Sequence, residues 1–148
     1  MTNNWGRPTW LFLHTFIEKM DPTFYINNKS IIIAFIKRIC NNLPCNICDK
    51  HARKYLINLT PSSVPTKLHM EQFLFTFHNN VNKRIQKPIF VDTNMYRLAK
   101  LRPIFTYFSK TYPINSALSK NFIDSRGRKK TVDDIRKFIN EHTNQFKW

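Results

Sequence analysis

The chain has 148 residues, 42% of them apolar, which suffices for one domain with a real hydrophobic core. With only two glycines, Gly6 and Gly127, it is short of the turn and phosphate-loop residues that a β-sandwich or a nucleotide-binding α/β fold uses, so an all-α fold is expected. The net charge of +15, from 24 Lys and Arg against 9 Asp and Glu, argues against cationic partners and turns attention to nucleic acid, anionic membranes and phosphate-bearing cofactors.

Residues 1–109 carry 15 bases and 5 acids, residues 110–148 carry 9 and 4, and the one dense basic cluster is Arg126 to Lys130. The charge is therefore spread rather than confined to a tail. No apolar run reaches the roughly 18 residues of a membrane span. The start "MTNNWGRPTW" has no charged region followed by an apolar stretch, so a secretory signal is not expected and a cytoplasmic location is.

A first helix is predicted over Pro8–Lys19, with proline in its first turn and Trp10, Leu13, His14 and Ile17 on one face. Asp21-Pro22 ends it. A second spans Asn28–Leu43 on the stripe Ile32, Phe35, Ile36, Ile39 and Leu43. Pro44 interrupts, and Cys45–Asn58 restarts a helix with Cys48, Ala52, Tyr55 and Leu56 in register. "LTPSSVPT" is a loop, after which Thr66 caps a fourth helix running to about Arg84, through Phe73, Phe77 and Val81. A shorter fifth is expected between Asn94 and Phe108. From Thr111 to Lys130 the chain reads as loop, and "TVDD", Thr131 to Asp134, reads as a capping box that opens a last amphipathic helix through Ile135, Phe138, Ile139, His142 and Phe146.

All three cysteines lie in "CNNLPCNICDKHARKY", Cys40 to Tyr55. The residue pattern admits three readings. Cys40, Cys45, Cys48 and His51 are zinc-ligand types, but on one helix Cys45 and His51 point away from each other, so four-fold convergence needs a sharp bend. Cys45 and Cys48 form a CxxC at a helix start, where thiols one turn apart can bridge and the helix N-terminus favours the thiolate. Small buried thiols are the third reading, and it suits Cys40 best, beside the apolar stripe of the second helix.

Two flanking motifs decide among these. "WGRPTWLFLH" (Trp5 to His14) precedes the cysteines and "FHNNVNKRIQKP" (Phe77 to Pro88) follows them. Together with "LPCNICDKH" they are similar in order and spacing to the Erv/ALR family of FAD-dependent sulfhydryl oxidases, in particular its compact viral branch from large cytoplasmic DNA viruses. The resemblance covers roughly Trp5 to Phe90.

It implies a four-helix bundle plus a short fifth helix that holds FAD, usually as a homodimer, here followed by a C-terminal helical extension. Residues 1–108 would be the FAD-binding thiol oxidase domain and 109–148 a basic extension. Carried over by position, Gly6, Arg7, Trp10 and His14 would line FAD from the first helix. His51 and Tyr55 would do so from the third, and His78, Asn79, Val81, Asn82, Lys83 and Lys87 from the fourth. Cys45 and Cys48 would be the catalytic pair, with Cys45 attacked by a substrate dithiol and Cys48 beside the flavin; O2 would be the final acceptor and become H2O2.

Two departures are visible. Many relatives staple the fourth helix to the following segment by a disulfide, and those positions are Phe75 and Asp92 here. Cellular relatives also carry a shuttle cysteine pair on a tail, whereas residues 49–148 contain no cysteine. Electrons would then come straight from a thiol-bearing protein, with a thioredoxin-like donor as the expected partner. The competing function is a basic nucleic-acid-binding module with a zinc-stabilised Cys/His cluster; membrane contact through Arg126 to Lys130 is a lesser alternative.

Overall fold

The computed structural model describes residues 4–114 and 122–148. Among them the chain is helical throughout, with α1 Gly6–Glu18, α2 Pro22–Asn27, α3 Lys29–Cys40, α4 Asn46–Leu56, α5 Lys67–Arg84, α6 Asn94–Leu98, α7 Leu101–Thr111 and α8 Phe122–Glu141, then a 3-10 turn at Thr143–Gln145. The four longer helices of the first half, α1, α3, α4 and α5, form the bundle, and α6 is the short fifth. No helix among the described residues is long and apolar enough to cross a membrane.

The sequence explains the breaks. Asp21 both ends the first helix and starts the next, because its carboxylate accepts the Phe24 amide at 2.9 Å and Pro22 fits the first turn of α2. Thr66 caps α5 through its hydroxyl, which accepts from the His69 amide at 3.3 Å. The helix expected over Asn94–Phe108 is in fact two, α6 and α7, separated at Ala99 and Lys100. Pro103 is the reason: in a continuous helix its ring would clash with the Ala99 carbonyl and its missing N–H would leave that carbonyl unbonded, whereas in the first turn of α7 neither cost arises.

A second correction concerns the C-terminal helix. Thr131 does not open it, since α8 starts at Phe122 and Thr131 lies in its interior, its hydroxyl donating to the Gly127 carbonyl at 3.0 Å. The loop predicted over Thr111–Lys130 is thus helical from Phe122; its stretch 115–121 lies outside the described residues.

The core runs along α1, whose Phe12, Leu13, Phe16 and Ile17 are buried and which packs against α5, α6 and α7. Ile32, Phe35, Ile36 and Ile39 of α3 continue it. Val132, Ile135, Phe138 and Ile139 of α8, with Phe146, belong to the same cluster. Each such aliphatic or phenyl side chain contributes roughly 1.5–3 kcal/mol relative to exposure. The end of the chain is tied down as well: Phe146 forms an antiparallel bridge with Met20, through Asp21 N–H to the Gln145 carbonyl and Lys147 N–H to the Lys19 carbonyl, both 2.8 Å.

Candidate active site

The site grows from the start of α4. Pro44 keeps the preceding residue out of helical geometry, and Cys45 takes the N-cap position in an extended conformation. Its sulfur accepts from the Cys48 amide at 3.4 Å. Cys45 and Cys48 are joined as a disulfide, with their Cα atoms 5.2 Å apart. Both are half-buried, so a partner thiol can approach. The helix N-terminus and the Cys48 amide favour negative charge on the Cys45 sulfur when the bond is opened.

Along α4, Cys48, His51 and Tyr55 follow at i, i+3 and i+7 and so share one stripe. That stripe leads into a cavity of about 520 Å³ walled by His51, Lys54, Tyr55 and Asn58 from α4 and its end, and by Phe73, Phe77, Asn80, Val81 and Arg84 from α5. Tyr55 stacks on Phe77 with ring centroids 4.7 Å apart and planes 17° apart. On its other side Phe77 meets the edge of Trp10 at 5.2 Å.

Trp10 opens a second aromatic group. Its indole lies flat on His78, 4.1 Å away and 7° from parallel. His78 Nδ1 is 3.0 Å from His14 Nε2. His14 in turn stacks on Tyr96 at 4.3 Å, and Phe90 packs against both histidines. Burial drives the His14 pKa down to about 3, with the neighbouring His78 adding to the effect, and burial followed by the Lys87 charge lowers His78 to about 4. Both imidazoles are therefore neutral near pH 7, and one donates to the other.

Flat aromatic walls beside bases are what a flavin and its diphosphate need, and α4 and α5 provide them: Tyr55, Phe73 and Phe77 as aromatic walls, with Trp10 of α1 packed against Phe77, and Lys54 and Arg84 as exposed cations on the cavity rim. The residues present fit FAD. A larger cavity, about 620 Å³, is walled by α1, α5 and the 91–96 segment, among them Glu18, Glu71 and Phe75, and includes no α4 residue. The cysteine chemistry, not cavity size, marks the site.

Of the residues singled out from the sequence, the structure brings together Trp10, His14 and His78 in one aromatic cluster and His51, Tyr55 and Val81 on the cavity between α4 and α5. Gly6 and Arg7 stand at the start of α1. Asn79 is engaged with the loop: its side-chain amide donates to the Phe90 carbonyl at 2.9 Å and its oxygen accepts the Phe90 amide at 3.1 Å. Asn82 is buried, with its carbonyl taking the Lys87 amide at 2.8 Å, while the Lys83 and Lys87 side chains are exposed and do not line the cavity. The Asn79–Phe90 pair and an edge-on contact of Phe75 with Phe90 at 4.9 Å hold the segment that follows α5. His51 hydrogen-bonds its own helix, Nδ1 to the Ile47 carbonyl at 2.8 Å.

Of the bases Lys83, Arg84 and Lys87 that the sequence offers to a diphosphate, Arg84 is the one on the cavity wall. Sequence reasoning missed Phe77 as a cavity wall and Phe90 and Tyr96 as partners of the histidines; Phe77 lies on the stripe of α5 that faces α4, a signal that was readable, while Tyr96 sits in a five-residue helix with no periodicity to announce it. Cys40 is the free cysteine among the described residues, fully buried, and burial pushes its thiol up to about 12. Among the described residues no cluster of His, Cys, Asp and Glu is placed to hold a metal ion.

The model of the Erv1/Alr family matches residues 7–102, about two thirds of the chain. The chain belongs to the Erv1/Alr family. The FAD-linked sulfhydryl oxidases of two African swine fever virus isolates are 34% and 33% identical over 86 residues, 58% of this chain and 71% of theirs. The mitochondrial FAD-linked sulfhydryl oxidase ERV1 of Saccharomyces cerevisiae is 29% identical over 91 residues, 62% of this chain and 47% of that one. No solved structure gives a significant match. The match ends at residue 102, so α7 from Pro103 onward, α8 and the C-terminal turn lie beyond the matched region.

Proposed function

We propose that this member of the Erv1/Alr family is an FAD-linked sulfhydryl oxidase that forms disulfides in protein substrates: two thiols and O2 give a disulfide and H2O2. The observation that carries this reading is the Cys45–Cys48 disulfide at the head of α4, on the same helical stripe as His51 and Tyr55 of an aromatic, basic cavity.

A substrate thiolate attacks the Cys45 sulfur, forming a mixed disulfide and releasing Cys48 as a thiolate that takes a proton. The second substrate thiol attacks the substrate's own sulfur, which expels Cys45 as a thiolate at the helix N-terminus, where the Cys48 amide stabilises it. The substrate leaves as a disulfide, and Cys45 and Cys48 hold its two electrons and one proton, Cys45 as the thiolate, while the second proton goes to solvent. FAD, when bound, would supply the two-electron acceptor for this dithiol, with O2 as the final acceptor. Tyr55 and Phe77 would bind and orient its rings, with Trp10 and the neutral His14–His78 pair packed behind Phe77. Lys54 and Arg84 would neutralise its diphosphate, Lys83 and Lys87 outside the cavity would add positive potential, and Gly6, Arg7, Asn79 and Asn82 are the further positions proposed around it.

The reading extends to partners. A thioredoxin-like thiol donor that meets the half-buried Cys45 directly is the partner proposed. Family resemblance supports a homodimer, and the viral relatives support a cytoplasmic site of action, with residues 1–108 as the oxidase domain and 109–148 as a helical extension packed on it. The visible spectrum tests the reading: a flavin band near roughly 450 nm, bleached by an anaerobic dithiol and restored by air, is expected. A protein that stays colourless after FAD reconstitution, or binds flavin that no dithiol reduces, overturns it.

A further inference from the structure

The elbow between α3 and α4, residues 41–45, presents the catalytic disulfide, and it is gripped from a part of the chain beyond the family match. The Tyr112 hydroxyl, at the end of α7 and fully buried, lies 2.9 Å from the Ile39 carbonyl and 3.0 Å from the Asn42 carbonyl. It thus bridges the last turn of α3 to the elbow itself. Gly127 of α8 comes so close to the same place that a Cβ there would sit 3.1 Å from Asn42 Nδ2, tighter than side chains normally allow. From the α4 side, Arg53 Nη2 donates to the Asn41 carbonyl at 2.7 Å. Contacts from α4, the C-cap of α7 and α8 thus converge on Asn41 and Asn42, four and three positions before Cys45.

We propose that Tyr112 and Gly127 are positioning residues of the redox centre, and that the C-terminal extension of this chain sets the stability of the Cys45–Cys48 disulfide by clamping the α3–α4 elbow. The proposal rests on the oxidase reading for its meaning but not for its test. A fixed elbow holds the Cys45 backbone at bridging distance from Cys48 and raises the effective concentration of one thiol at the other. Loosening the elbow leaves the disulfide's own bonds unchanged but lets the reduced pair drift apart, which favours the dithiol.

The experiment equilibrates the full-length, FAD-loaded protein anaerobically in glutathione redox buffers, quenches with acid, alkylates, and counts alkyl groups on the peptide Ile39 to Lys50 by mass. Tyr112→Phe and Gly127→Ala are compared with Tyr25→Phe, a buried tyrosine whose hydroxyl donates to the Val64 carbonyl at 2.8 Å, on another loop. Expected is a shift of the disulfide equilibrium toward the dithiol by roughly threefold to tenfold in the first two variants and none in the third. An unchanged equilibrium in Tyr112→Phe and Gly127→Ala, or an equal shift in Tyr25→Phe, overturns the proposal. Neither outcome depends on oxygen turnover, so a failed clamp and a failed oxidase assignment are told apart.

Discussion

His14 Nε2 and His78 Nδ1 face each other at 3.0 Å, one from α1 and one from α5, under the indole of Trp10. A proton on both would place two positive charges in contact in a half-buried site. The pair is therefore locked neutral, one ring donating and the other accepting, and this couples the two helices that carry the family's flanking motifs.

The first prediction is the charge state of that pair. Both pKa values lie below the usual histidine range, at about 3 and about 4, so the folded protein holds His14 and His78 neutral at pH 5.5, where unfolded histidine is mostly charged. Long-range proton–nitrogen NMR of the imidazoles at pH 5.5 should show two neutral rings of fixed tautomer. An imidazolium signal from either residue would contradict the packing.

Cys45→Ser and Cys48→Ser are each expected to reduce dithiol-driven oxygen consumption to background, because either change removes the disulfide that a substrate thiolate must attack. Neither side chain forms the aromatic walls, so FAD retention, read from the ratio of visible to ultraviolet absorbance, should be within about twofold of the parent protein. Substantial turnover in either variant would require a different electron entry point.

Glu71 carries a pH-dependent penalty away from the active site. Its carboxyl is raised from 4.5 to about 7, first by burial and then by the neighbouring Glu18 carboxyl, with Lys67 at 3.7 Å opposing. A raised folded-state pKa means that the fold favours the acid form: this group's stability contribution is whole below about 4.5 and is lost as pH rises through about 7. Glu71→Gln imitates the acid form, so it should stabilise the protein by on the order of 1 kcal/mol at pH 8 and by nothing measurable at pH 4. Urea unfolding at the two pH values checks this.

Gln86 offers a stabilising change at a helix end. With φ of 60° it follows the C-cap of α5 in the left-handed region, its amide reaching the Lys83 carbonyl at 3.3 Å and the Lys87 amide the Asn82 carbonyl at 2.8 Å. These are the two bonds of a Schellman termination, which favours glycine at this position. Gln86→Gly is expected to raise stability by about 0.5–1 kcal/mol, seen as a higher melting temperature, with FAD binding retained.

Helical character was legible before any coordinates, because glycine scarcity and the stripes through Leu13, Ile36 and Phe77 allow little else. So was the cysteine chemistry, because a CxxC behind Pro44 puts two thiols one turn apart at a helix N-terminus. The flanking motifs and their order then carried the family. Local signals were misleading where a short motif competed with a longer helix: Thr131 has the residue type of a cap, yet α8 passes straight through it because Val132, Ile135 and Ile139 belong to a stripe buried in the core.

Tertiary structure decided what depends on distance between remote positions. Periodicity says that His14 and His78 lie on helices; only the packing of α1, α5 and α6 puts their rings, and that of Tyr96, in contact. Nothing local to Tyr112 or Gly127 hints that α7 and α8 return to the elbow before Cys45, 70 residues earlier in the case of Tyr112 and Asn42. The reason is physical. A helical stripe is written by neighbours three and four residues apart, while the meeting of two stripes is set by how all the side chains between them fill space.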